Sequence, residues 1–304
     1  MSGSPRFLEI DDFDPARLER VIDRALLYQA GGADIPQLLA GKGAALLFEK
    51  PSTRTRSSSE MGVVTLGGHP IYIRPDEVGL DTRETVEDVA RTLAGYCALI
   101  AARTFAHSTL ERMAAAVEIP VINLLSDAGH PCQAVADLIT LREHFGALEG
   151  RRLAYIGDGN NVAASLAFAC AYTGIEFVIA SPDGYELGDD VTERVQNVGG
   201  SCEAFADPYE AVRDADALYT DVWTSMGQED EAQMRRAAFA GFCIDEELLA
   251  AAPDHAVVLH CLPAHRGEEI SEAVLEGRRS LIWRQAANRM DAFRAITIEL
   301  LAKE

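Results

Sequence analysis

Short apolar runs alternate with amphipathic stretches along nearly the whole chain. Residues 43–48 (GAALLF) read as a buried strand, and 54–66 as a helix stopped by Gly67-Gly68. Residues 69–73, 98–102 and 120–125 are apolar runs of strand length. Helices are predicted around them. Asp14-Pro15 supplies a cap followed by proline at the first helical position. Asp81-x-x-Glu84 and Ser108-x-x-Glu111 look like capping boxes opening two more. One long amphipathic helix is expected over 131–145. The alternation then repeats: strand 153–156, helix 162–172, strand 176–180, helix 190–198, strand 202–205, a short helix from Pro208, strand 217–220, helix 246–251 and strand 256–259. A last strand is expected at 280–283 and a terminal helix at 286–301.

Strands alternating with helices imply an α/β fold with parallel sheets covered on both faces. Two such runs flank the 131–145 helix, and 304 residues suit about two domains. The expectation is two doubly wound parallel-sheet domains linked by helices. Residues 1–130, completed by the C-terminal helix 286–304, form the first; residues 131–285, entered through the linking helix 131–145, form the second. In such folds ligands sit at strand C-termini, and the active site is expected in the cleft between the domains.

Charge narrows the possible partners. A net charge of −21 repels nucleic acid and anionic membranes, so neither is expected as a partner. It also makes any cluster of arginines conspicuous. The six cysteines are scattered without a C-x-x-C pair, which fits a reducing compartment. The N-terminus lacks a basic start followed by an apolar run, and no apolar stretch approaches the roughly 20 residues of a membrane span. A cytoplasmic location is expected.

Three stretches carry candidate chemistry. Ser52-Thr53-Arg54-Thr55-Arg56 lies where a strand passes into a helix. A helix N-terminus offers unpaired N–H groups and partial positive charge, hydroxyls add donors, and Arg54 can fork onto phosphate oxygens. A capped surface helix with solvated arginines fits the same letters. Gly157-Asp158-Gly159-Asn160-Asn161 suggests a dinucleotide fingerprint, but Val162 stands where its third glycine belongs. His260-Cys261-Leu262-Pro263 follows a strand. Cys261 there reads as a small buried apolar residue, or His260, Cys261 and His265 as metal ligands, although their spacing matches no standard zinc site.

Ser-Thr-Arg-Thr-Arg after a strand, followed by His130-Pro131-Cys132-Gln133, resembles the aspartate and ornithine carbamoyltransferase family, and the resemblance runs from about Phe7 to the terminal helix. It implies a carbamoyl-phosphate-binding first domain and an ornithine-binding second domain. Ser52, Thr53, Arg54 and Thr55 would hold the phosphate, with Arg56 structural. Arg103, His130 and Arg289 would join them, His130 on the carbonyl oxygen and Gln133 on the carbamoyl amide. Asp221-x-x-x-Ser225-Met226-Gly227 resembles the loop of the ornithine-using members, where aspartate-using members carry an arginine-bearing loop. Asn161, Asp221, Ser225 and Met226 would then bind ornithine. Cys261 would lie near the attacking amine, and Leu262 would offer a backbone contact to the carbamoyl amide. Arg103, His130, Asp221 and Cys261 are the expected catalytic set.

The resemblance implies carbamoyl transfer to the ornithine side-chain amine, giving citrulline and phosphate, with no metal or organic cofactor, in a homotrimer or a multiple of trimers. Three positions depart from the family pattern. Ala287 stands in the usual Gln-Ala-Glu-Asn-Arg, Gly79 where many relatives lend Gln or His to a neighbouring subunit, and Asp81 where glycine is common.

Overall fold

The structure, a computed structural model, describes residues 5–302 apart from Met226 and Gln228. The chain divides into two compact units, residues 1–139 with 287–304, and residues 140–286.

The first unit is built on five parallel strands in the order β1-β5-β4-β2-β3. They are β1 Arg6–Phe7, β2 Gly43–Phe48, β3 His69–Ile73, β4 Cys97–Arg103 and β5 Val121–Leu125. β2 and β4 are almost wholly buried, as unbroken apolar runs must be in a parallel sheet covered on both faces. Ala45, Leu47, Ile100 and Ala102 pack with Val86, Val89 and Ala90 of helix Val86–Ala94 and Leu110, Met113 and Ala114 of helix His107–Ala116. Helix Thr53–Thr65 approaches the terminal helix at Gly62, where a Cβ would lie 2.7 Å from the Phe293 ring. Only glycine permits that spacing.

Several local expectations hold. Asp14 caps helix Pro15–Gln29 by accepting from Arg17 N–H, and Gly67, at φ 81°, ends the helix that Ser52 begins. Two capping assignments do not hold. The helix after Asp81 starts only at Val86, capped by Thr85; Asp81 instead has φ 56° and accepts from Arg112 at 2.6 and 3.0 Å. Ser108 sits inside the helix His107–Ala116, whose cap position is Ala106. In both cases a motif of four letters matched the box, but the backbone turned elsewhere.

The second unit carries β6 Arg152–Ile156, β7 Glu176–Ala180, β8 Cys202–Phe205, β9 Ala217–Thr220 and β10 Val257–His260, parallel and ordered β10-β9-β6-β7-β8. β10 reaches one residue further than expected, so His260 is its last residue. Helix Asn161–Thr173 is buried along most of its length and ends at Gly174 in the left-handed region at φ 71°. The expected strand at 280–283 is absent. Ser280 makes one isolated bridge to Val258, and Ile282 already begins helix Ile282–Leu301. A short apolar run does not by itself distinguish strand from helix, and here the helix won.

Each sheet reverses its direction of winding once. In the first unit the chain begins at the edge strand β1, runs outward from β2 to β3, and then returns to the other side of β2 as β4 and β5, which lies against β1. In the second it runs from β6 through β7 to β8, then returns beside β6 as β9 and β10. Between β2 and β4, and between β6 and β9, neighbouring connections leave in opposite directions and open a crevice at the carboxyl ends.

Candidate active site

Phe48 and Arg103, the last residues of β2 and β4, are register partners, so the Ser52 segment and Arg103 emerge side by side at the first crevice. The Glu49 N–H donates to the Arg103 carbonyl at 2.8 Å, tying the two exits together. Ser52 has extended backbone geometry and caps helix Thr53–Thr65: its Oγ accepts from Thr55 N–H at 3.4 Å and donates to Thr55 Oγ1 at 3.0 Å. The first-turn N–H groups of Thr53 and Arg54 have no acceptor within the helix and point outward from its positive end. Arg56 is engaged elsewhere, bonded to Glu60 at 2.9 Å and stacked 3.7 Å from the Tyr72 ring centre.

Arg289 reaches the same place from the terminal helix. Its Nη2 donates to Thr55 Oγ1 at 3.1 Å and its Nη1 to Gln133 Oε1, while Gln133 Nε2 donates to Asp137 at 2.7 Å. Gln133 and Asp137 stand four residues apart on one face of helix Pro131–Phe145. All four of these side chains are buried. His130, just before that helix, is buried too. Burial first, then the positive charges of Arg289 and Arg103, holds its pKa well below the usual imidazole range, so it is neutral at pH 7. The loop leading to it is fixed by Asn123, whose Nδ2 donates to Leu8 O at 2.9 Å and to Ser126 Oγ at 3.2 Å. Lys50 was not singled out from sequence. It lies with its ammonium 4.5 Å from the Phe105 ring centre, and burial together with Arg103 lowers its pKa.

The second crevice collects acceptors. β6 ends at Ile156 and passes through Gly157, at φ 145°, to Gly159, where a Cβ would strike the 186–187 backbone at 2.4 Å. Asn160 caps helix Asn161–Thr173, its Oδ1 accepting from Val162 N–H at 2.9 Å and Ala163 N–H at 3.2 Å. Its Nδ2 donates to Asp221 Oδ2 at 3.1 Å. Asp221 follows β9 directly and is only 6% exposed. Cys261, directly after β10, donates from Sγ to Asp221 Oδ1 at 2.9 Å. Asn160 thus ties the loop after β6 to Asp221, and Asn161, expected to bind ornithine, is the next residue, first in the helix and half-buried. Ser225 is half-buried in the loop after Asp221; Met226 lies outside the described residues.

Behind Cys261, His260 Nδ1 accepts from Leu262 N–H at 2.8 Å and Nε2 faces the fully buried Glu269 at 3.1 Å. An Nδ1 that accepts must be unprotonated, so the proton sits on Nε2. This holds Leu262 in the left-handed region at φ 60°, a conformation that costs a non-glycine residue roughly 1–3 kcal/mol. Asp221, His260 and Cys261 place possible ligand atoms within 4.8 Å of one another. Both ring nitrogens of His260 are committed to hydrogen bonds, however, which suits a positioning role better than metal ligation.

Arg235 is another residue that the sequence did not single out. Buried at 7% exposure, it donates from Nη1 to Asp158 at 2.9 Å and to the Trp223 carbonyl at 3.0 Å, and from Nε to Glu231 at 3.0 Å. It thus braces the loop that follows Asp221 against the loop that follows β6. No signal marks it in sequence, because Asp158 lies 77 positions away. Gly79 has φ 52°, and its carbonyl accepts from Thr82 Oγ1 at 2.9 Å, so Thr82 is used within its own loop.

The carbamoyl-P binding domain of the aspartate/ornithine carbamoyltransferase family matches residues 6–143, and its Asp/Orn binding domain matches residues 149–300. The ornithine carbamoyltransferase of Acidothermus cellulolyticus is 50% identical over 301 residues, covering 97% of this chain and 96% of its own. That of Haloquadratum walsbyi is 44% identical and covers 100% of both. The solved ornithine carbamoyltransferase of Pyrococcus furiosus superposes with a TM-score of 0.91 at 41% identity, covering 98% of each chain.

Proposed function

The chain belongs to the aspartate/ornithine carbamoyltransferase family and transfers the carbamoyl group of carbamoyl phosphate to ornithine, giving citrulline, and from that premise we propose how its residues divide the work. The observation that carries the division is the opposite chemistry of the two crevices. The first is lined by donors and cations, the second by a buried carboxylate.

In this reading the phosphate is held by Ser52, Thr53, Arg54 and Thr55, by Arg103 and by Arg289. The helix N-terminus and the bidentate arginines neutralise its charge and make it a better leaving group. His130 donates to the carbonyl oxygen and Gln133 accepts from the carbamoyl amide. A neutral His130 still has one N–H to give, and a donor aimed at the oxygen where negative charge develops lowers the barrier. Asp221 and Cys261 orient the ornithine side-chain amine, with Asn161, Ser225 and Met226 on the amino-acid end and the Leu262 backbone on the carbamoyl amide. The amine must reach the neutral form before its lone pair can attack the carbonyl carbon. The C–N bond forms, the C–O bond to phosphate breaks, and the departing phosphate takes the amine proton. Much of the rate gain comes from holding both substrates together. Carbamoyl phosphate binds before ornithine.

A homotrimer or multiple of trimers, a cytoplasmic location and a role in arginine metabolism, biosynthetic or degradative, complete the proposal. The family membership supports the assembly, and no helix among the described residues is long and apolar enough to cross a membrane. An acceptor panel tests the substrate assignment. Ornithine, acetylornithine and putrescine are compared at fixed carbamoyl phosphate. Ornithine is expected to give the highest kcat/KM by at least about 100-fold, since a site built to hydrogen-bond a group rejects analogues lacking it. A faster reaction with putrescine overturns the assignment.

A further inference from the structure

We propose that Asp137 determines specificity at the carbamoyl-phosphate site by fixing which end of the Gln133 side-chain amide faces the ligand, an inference that rests on the assignment of that site above. The two ends of a glutamine amide have nearly the same shape, so its partners decide its orientation. Here two partners decide it the same way. Asp137, fully buried, is an acceptor when ionised and takes the Gln133 Nε2 proton at 2.7 Å. Arg289 is a donor only and takes Gln133 Oε1. Turning the amide over would set its NH2 against guanidinium N–H groups and its oxygen against a carboxylate, making both contacts repulsive.

The consequence is chemical. Gln133 presents an oxygen to the site beside Thr55 and Arg289, and that oxygen has a second lone pair beyond the one used by Arg289. It selects a ligand with an N–H at that position. A carbamoyl group has one; an acetyl group, close in shape, has a methyl instead. Asp137 touches no ligand in this arrangement and acts through Gln133, as a positioning residue.

Asp137→Asn tests this, because it keeps the shape while allowing the side chain to donate as well as accept. The full-length enzyme and the variant are compared by carbamoyl phosphate dissociation constant, by acetyl phosphate inhibition constant against carbamoyl phosphate, and by citrulline formation. For the wild-type enzyme, acetyl phosphate is expected to bind at least about 10-fold more weakly than carbamoyl phosphate. In the variant, carbamoyl phosphate affinity falls about 10-fold while acetyl phosphate affinity moves less than about two-fold, so the preference collapses. A preference that is unchanged, or two affinities that fall together, overturns the role of Asp137. If Asp137→Asn does not fold, Asp137→Ser, whose hydroxyl also both accepts and donates, is read by the same outcomes. Failure of the wild-type enzyme to make citrulline would instead remove the underlying assignment.

Discussion

The two half-sites use one topological device for opposite ends. Each opens where a doubly wound sheet reverses, between β2 and β4 in the first unit and between β6 and β9 in the second. The first brings Arg103, Arg289 and a helix N-terminus to the crevice; the second brings Asp221. Their bracing follows a common rule. Arg289 is tied to the neutral side chains Gln133 and Thr55, and Asp221 to the neutral Asn160 and Cys261. Those bonds orient a charge without cancelling it. The charges of Asp158 and Arg235, by contrast, are spent on each other. Arg289 and Asp221 are thus each oriented by neutral side chains, whereas Asp158 and Arg235 form an ion pair.

Asp221→Asn and Arg289→Met break the comparison most sharply. Asp221→Asn is expected to lower kcat/KM for ornithine about 1,000-fold while leaving carbamoyl phosphate binding within about two-fold. Arg289→Met is expected to do the reverse, with a loss of similar size in kcat/KM for carbamoyl phosphate. Steady-state kinetics with each substrate varied, together with equilibrium binding of carbamoyl phosphate, separate the two. If both variants weaken carbamoyl phosphate binding equally, the half-sites are not divided by charge as argued.

Arg235→Ala probes the paired class. It leaves the half-buried Asp158 without its partner and is expected to cost up to about 3 kcal/mol in stability, with a raised KM for ornithine through the loosened Trp223 loop. Burial already raises the Asp158 pKa despite Arg235, so the lone carboxyl is costly. Denaturant unfolding of Arg235→Ala and of Arg235→Met with Asp158→Asn measures it. The double variant is expected to be the more stable of the two; the opposite order would show that pairing is not what Arg235 provides.

The smallest effect is that of His130 on pH dependence. Its pKa is lowered on folding, so below the ordinary histidine pKa the unfolded chain binds a proton that the folded one does not. Its contribution is therefore present above about pH 6.5 and declines as pH falls, by about 1.4 kcal/mol per pH unit, until the folded pKa is reached. Urea unfolding of wild type and His130→Asn between pH 7 and 5 is expected to show a shallower decline in the variant. Parallel curves would place His130 in a less buried, less positive setting.

What was legible in the sequence was local chemistry. Ser52 to Arg56 was visible as a strand passing into a helix start, while Gln133 and Asp221 entered through the family resemblance. The bond from Asn160 to Asp221 was not legible, because only the direction of the capping side chain reveals it. Asp137 was within reach, four residues after Gln133 on the same helix, but an acidic residue in an amphipathic pattern reads as solvated until its burial is known. The expected strand at 280–283 and the caps at Asp81 and Ser108 failed because several backbone paths satisfy the same few letters.

The sequence by itself determined the alternation of strands and helices, and with it two parallel sheets, because apolar periodicity and turn chemistry act over a few residues. It also determined which kinds of group leave each strand. The tertiary structure alone decided which strands became neighbours across each reversal, and so which exits share a crevice: Phe48 with Arg103, and the end of β6 with Asp221. It alone brought Arg289 to Gln133, 156 positions away, and Arg235 to Asp158. Such contacts are paid for by burying whole sheets and helices, a cooperative gain that no short window of residues contains.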